Sequence, residues 1–123
     1  MSKTVAIVGA SSDQRKFGNK ALRAFKAQGY RVIPINPNEP EIEGIATYAS
    51  VLDVPERIDM VSVYVKPEVG LQLLPEFGQK KIDEIWINPG AESATLLAEA
   101  ARRKLNVIVA CSIVGVGQNP SAY

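Results

Sequence analysis

The chain has 123 residues, 46% hydrophobic and 22% charged, with a formal net charge of +1; this is ordinary globular usage at a length that suits one domain, residues 1–123. It contains no histidine and one cysteine, which excludes Ser-His-Asp and Cys-His mechanisms, an internal disulfide and most zinc chemistry. No stretch approaches the roughly 20 apolar residues that span a bilayer, and the run up to Gly9 lacks a leader's cleavage pattern, so a cytoplasmic protein without a membrane partner is expected.

The charge is segregated along the chain. Residues 1–31 hold seven Lys or Arg against one acid, and residues 32–59 hold six acids against one Arg. A basic first third on a near-neutral chain suits a discrete anionic ligand better than a nucleic-acid surface, for which a basic domain is expected. Solvated helix faces are the plainer explanation for individual lysines.

In chain order, Thr4-Val-Ala-Ile-Val8 is a predicted strand, short, β-branched and without polar alternation, as a strand buried on both faces should be. Residues 18–28 place Ala21, Leu22 and Phe25 on one side and predict a crossover helix ending at Gly29. Arg31-Val-Ile-Pro-Ile35 predicts the second strand, residues 36–44 a loose segment, and Ile45-Ala-Thr-Tyr48 a short edge strand. The third long strand is predicted within residues 59–65. Residues 67–78 follow as a helix, with a kink or break expected because Pro75 removes a backbone donor and Gly70 weakens the helix. The run at 83–87 predicts another strand, and Ala94, Leu97, Ala98 and Ala101 give helical spacing before a basic C-terminal turn. Residues 106–110 complete the set. Alternating strands and helices predict an α/β doubly wound, mainly parallel sheet with helices on both faces, whose ligands bind beyond the carboxyl ends of the strands.

The residues that follow each strand therefore carry the functional information. Gly9-Ala-Ser-Ser-Asp-Gln-Arg-Lys-Phe-Gly18 is a small, polar loop opening into the basic helix, where N–H groups at a helix start could hold an anion and Ser11, Ser12, Arg15 and Lys16 add donors and charge. Neither G-x-G-x-x-G nor G-x-x-x-x-G-K-[ST] is present. A plain strand-to-helix turn is the competing reading. The second strand leads to Asn36-Pro-Asn38 rather than the acid that a dinucleotide fold offers to ribose; Asn36 could donate to a phosphate and Pro37 could contact a ribose or base, or the pair could simply make a turn. Val65, Lys66 and Pro67 bring an apolar residue and a cation to the same edge.

Val5-Ala-Ile-Val-Gly-Ala-Ser11, Gly29-Tyr-Arg-Val-Ile-Pro-Ile-Asn-Pro-Asn38, Gly44-Ile-Ala-Thr-Tyr48 and Ile85-Trp-Ile-Asn-Pro-Gly-Ala-Glu92 occur in the order and spacing of the small stand-alone coenzyme A-binding proteins, which the chain resembles over essentially its whole length. It is also similar to the Rossmann-like CoA-binding domain that opens the succinyl-CoA synthetase α subunit. The resemblance implies that Gly9, Ala10, Ser11, Ser12, Arg15, Lys16 and Phe17 line the phosphates. It further implies that Asn36 and Pro37 lie near the ribose, that Val65, Lys66 and Pro67 flank the adenosine, and that Asn88, Pro89 and Gly90 border the pantetheine. Relatives often carry a Cys-Pro-like pair where this chain has Cys111 and Ser112.

The synthetases pass phosphate through a histidine outside their CoA-binding domain and use a second nucleotide-handling unit, neither of which these residues supply. The expected function is thus binding of coenzyme A or an acyl-CoA, as a carrier, sensor or subunit without complete catalytic machinery. An NAD(P)-linked oxidoreductase-type domain and a regulatory interaction domain without a ligand remain the alternatives. Cys111, expected at the end of an inner strand, is either a packed small hydrophobe or a thiol able to exchange with that of a bound ligand.

Overall fold

A computed structural model describes residues 3–123; Met1 and Ser2, part of the stretch read for a leader, lie outside them. The apolar runs become strands and the periodic segments helices. In chain order these are β1 (Thr4–Val8), α1 (Phe17–Ala27), β2 (Arg31–Ile35), β3 (Glu41–Ile42), β4 (Ile45–Ala46), β5 (Met60–Val63), α2 (Pro67–Lys80), β6 (Glu84–Ile87), α3 (Ala94–Arg102), β7 (Val107–Val109) and α4 (Ser112–Gly115). Single 3-10 turns sit at Val51–Asp53 and Pro120–Ala122.

Five strands form one parallel sheet in the order β2-β1-β5-β6-β7. The expected edge strand at 45–48 is divided: β4 pairs antiparallel with β3, while Tyr48 bridges Ile35 at the margin of the large sheet. Each central strand feeds two cores, because successive side chains point to opposite faces. Val5 and Ile7 pack with Leu22 and Phe25 of α1 and Ile113 of α4; Ala6 and Val8 pack with Leu74 and Phe77 of α2 and Leu96 and Ala100 of α3. Full burial of a strand side chain such as Ile7 or Ile85 contributes about 1.5–3 kcal/mol, and with both faces covered this favours apolar residues at successive positions, which explains why the runs show no polar alternation.

Three expectations are corrected. Helix α2 is unbroken through Pro75: that residue is exposed, and the buried Leu74 and Phe77 on either side of it anchor the helix. Gly70, read as a weak point, is a close-packing position, since a Cβ there would lie 3.0 Å from Leu96 Cδ1. Helix α3 buries Leu96 and Ala100 rather than the stripe through Ala94, Ala98 and Ala101, whose small side chains leave the periodicity ambiguous. Strand β7, expected inside the sheet, is its edge. Among the described residues no helix is long and apolar enough to cross a membrane.

Candidate functional site

Chain connections leave β1 toward β2 on one side and arrive at β5 on the other, so the strand order reverses between β1 and β5. Crevices form at the carboxyl ends of strands at such a reversal. A cleft of about 880 Å³ opens there. Val8, Gly9, Ala10 and Ile35 lie at the strand ends, Ser11, Lys16, Phe17 and Gly18 come from the turn into α1, and Asn36, Pro37, Asn38 and Glu39 follow β2. Across from these, Tyr64 and Val65 follow β5, α2 contributes Val69, Leu73, Glu76 and Phe77, and Pro89–Ala91 follow β6.

Backbone geometry explains the two glycines of the first loop. Gly9 has φ +91°, and a Cβ on it would lie 3.1 Å from Val65 Cγ1 and 3.2 Å from the Tyr64 carbonyl carbon. A Cβ on Gly18 would stand 2.3 Å from the Gly9 carbonyl oxygen, so α1 can begin this close to β1 only with glycine. The buried Asn19, unnoticed in the sequence, ties the loop to its surroundings: Nδ2 donates to Ser11 O at 2.9 Å and to Glu43 at 3.0 Å, and Oδ1 accepts from Arg23 at 2.7 Å. Those amide donors help hold the Glu43 carboxyl below its usual range.

The expected phosphate residues separate into two groups. Gly9, Ala10, Ser11, Lys16 and Phe17 line the cleft; Ser12 and Arg15 do not. Arg15 is engaged by Asp13 through Nε and Nη2, both at 3.1 Å, with its side chain 91% exposed. These bonds, with the Arg15 N–H, lower the Asp13 pKa to about 2. Lys16 precedes the first turn of α1, and the Phe17 ring beside it is half-exposed with Lys20 Nζ 5.3 Å from its centroid.

Asn36 and Pro37 also line the cleft, but the Asn36 amide has partners already. Its Nδ2 donates to Ala10 O at 2.8 Å and to Glu39 Oε2 at 3.2 Å, while Oδ1 accepts from Asn38 N at 2.7 Å. An acid does stand on the wall after β2, Glu39, whose carboxylate also accepts from Ser12 N at 3.2 Å. Among the described residues, Lys16 is the one cation on the wall, facing a site that also carries Glu39 and Glu76.

Val65 lines the cleft, whereas Lys66 and Pro67 serve as the N-cap and first residue of α2 and are not on its wall. Val69, Leu73 and Phe77 recur every fourth residue and line the cleft; the signal that could have found them is that spacing, extending to the solvent-exposed Val69. Pro89 and Gly90 border the cleft, but Asn88 does not. It is buried, with Nδ2 3.0 Å from both Ser62 Oγ and Val63 O, and Oδ1 accepting from Ser112 N at 2.8 Å. Ser112 Oγ in turn lies 2.6 Å from Ser62 Oγ and 3.0 Å from the Tyr64 hydroxyl, whose pKa is raised by burial. The Ser112 N–H is a bond that proline at this position would lack. Cys111 is half-buried against the α1-side core and off the cleft wall.

The family of CoA-binding domains matches residues 3–117. The chain is 33% identical over 84 residues to the α subunit of an ADP-forming acetate–CoA ligase II of Pyrococcus furiosus, covering 68% of this chain and 18% of that protein. It is 28% identical over 104 residues to the uncharacterized protein YneT of Bacillus subtilis, covering 82% and 77% of the two chains. A solved structure of a conserved hypothetical protein from Pyrococcus furiosus superposes with TM-score 0.83 at 33% identity, over 94% of this chain and 99% of that one, and shares the Rossmann-like fold. The chain spans less than a third of the acetate–CoA ligases it matches. With the match running through β1 to α4, the chain belongs to the family of CoA-binding domains.

Proposed function

We propose that the cleft binds coenzyme A or an acyl-CoA, with the diphosphate at the β1–α1 turn and the adenosine against the apolar residues of α2. The observation that carries this reading is the joining, at the β1/β5 reversal, of a glycine-shaped turn opening into a helix with an apolar wall in one cleft. The turn offers backbone donors and Lys16 to an anion, and Pro37, Val65 and Leu73 offer contact to a base. Pantetheine would leave past Pro89 and Gly90. The acetate–CoA ligase relatives support CoA as the ligand, and the absence of histidine from these 123 residues supports a binding role as carrier, sensor or subunit rather than histidine-mediated phosphate transfer.

Titration calorimetry with CoA and NAD tests the reading. Tighter binding of CoA is expected, because the first loop lacks the dinucleotide glycine pattern. Equal or tighter binding of NAD overturns it.

A further inference from the structure

We infer that Glu39 makes the cleft select against a phosphate on the ligand's adenosine ribose, so that a CoA-type ligand with a free 3′-hydroxyl is preferred to one carrying a 3′-phosphate. The inference rests on the CoA reading above and concerns how the same cleft treats the ribose end of that ligand.

Glu39 is a positioned carboxylate. Its Oε2 accepts from Ser12 N and Asn36 Nδ2, each at 3.2 Å, and its backbone carbonyl accepts from the Thr47 hydroxyl. Prolines at 37 and 40 stiffen the segment, and Asn38 N closes a turn onto Asn36 Oδ1 at 2.7 Å. The side chain is half-buried on the cleft wall, so its charge cannot simply swing into bulk water without giving up these donors.

Its location determines what that charge does. In doubly wound dinucleotide folds the phosphates sit at the turn after the first strand and the ribose lies beside the end of the next, where an acid accepts from the 2′-hydroxyl and a cation accommodates a 2′-phosphate; the 3′ position is its neighbour on the same ribose edge, so the same charge logic applies to it. β2 ends at Ile35, and the acid on the wall after it is Glu39. The cation on the wall is Lys16, at the start of α1, which the diphosphate would occupy. Arg15, the other cation of the loop, is already paired with Asp13. A hydroxyl can donate to Glu39; a phosphate there meets a like charge.

Calorimetric titrations with CoA and with 3′-dephospho-CoA at low ionic strength test this. The wild-type protein is expected to bind dephospho-CoA about tenfold more tightly, a ratio that shrinks as salt screens the repulsion. Glu39→Gln should remove most of the preference and Glu39→Lys should reverse it, with circular dichroism checking the fold of both. CoA bound as tightly as dephospho-CoA by the wild type, or a ratio unchanged in Glu39→Gln, overturns the inference and leaves the CoA reading standing. Binding of neither ligand overturns both.

Discussion

The carboxyl edge of the sheet has two halves that look alike in sequence and differ in structure. Beyond β1, β2 and β5 the strand ends open into the cleft; beside it, Asn88 at the end of β6 and Ser112 after β7 close onto Ser62 of β5 and the Tyr64 hydroxyl. Both halves follow strands with small and polar residues. What separates them is whether those polar atoms find partners within the fold. On the closed half the amide of Asn88 meets a serine hydroxyl, a backbone carbonyl and a backbone N–H, leaving it nothing to offer a ligand. On the open half, the reversal of strand order keeps the two flanking connections apart, and the turn into α1 faces the space between them.

The largest expected effect lies on the closed half. Asn88→Ala should destabilise the protein by about 3 kcal/mol in urea unfolding, because it orphans the buried Ser112 N–H and takes one of the two partners of the Ser62 hydroxyl. A loss below about 1 kcal/mol would show that the network is not what closes this half. On the open half, Gly18→Ala should cost about 1–3 kcal/mol and weaken CoA binding, since the new methyl must displace the Gly9 carbonyl that shapes the turn. Unchanged stability and affinity would mean that the turn tolerates a looser approach of α1.

Smaller effects separate the two cations of the loop. Lys16→Ala should weaken CoA about tenfold with stability unchanged, whereas Arg15→Ala, removing a side chain bound to Asp13 and off the wall, should change affinity less than about threefold. Equal losses from the two would put Arg15 back among the ligand contacts. The smallest effect is spectroscopic. The Asp13 carboxyl should titrate by NMR near pH 2 and move back toward 3.8 in Arg15→Ala. Because its folded-state pKa is lowered, the pairing is fully present above the unfolded value near 3.8 and is lost as pH falls through about 2. A wild-type midpoint near 3.8 would contradict the pairing.

These contrasts mark what was legible in the chain. β1, β2 and the other long strands could be read because burial on both faces demands uninterrupted apolar runs, and the cleft's place followed from strand and helix alternation. Gly9 and Lys16 were legible as members of a polar turn. The separation of Lys16 from Arg15 was not, because it depends on Asp13 two residues from Arg15 capturing the guanidinium. Glu39 could not be assigned to the cleft because its position depends on the Asn36 turn and on Ser12, which lies 27 positions away in sequence. Asn88 was placed correctly at a strand end, but its partners Ser62 and Ser112 are brought to it only by the sheet. Pro75 and the small residues of α3 misled for a related reason: exposure decides both, and local periodicity reports exposure poorly where side chains are small.

Backbone amide chemical-shift mapping of the labelled protein during titration with CoA tests the central claim most directly. The largest shifts are expected at residues 9–18, 36–39 and 64–77, with saturation at a single stoichiometry, and little change at β7. No shift at saturating CoA, or shifts concentrated on β7 and α4, would contradict the assignment of the cleft as the CoA site.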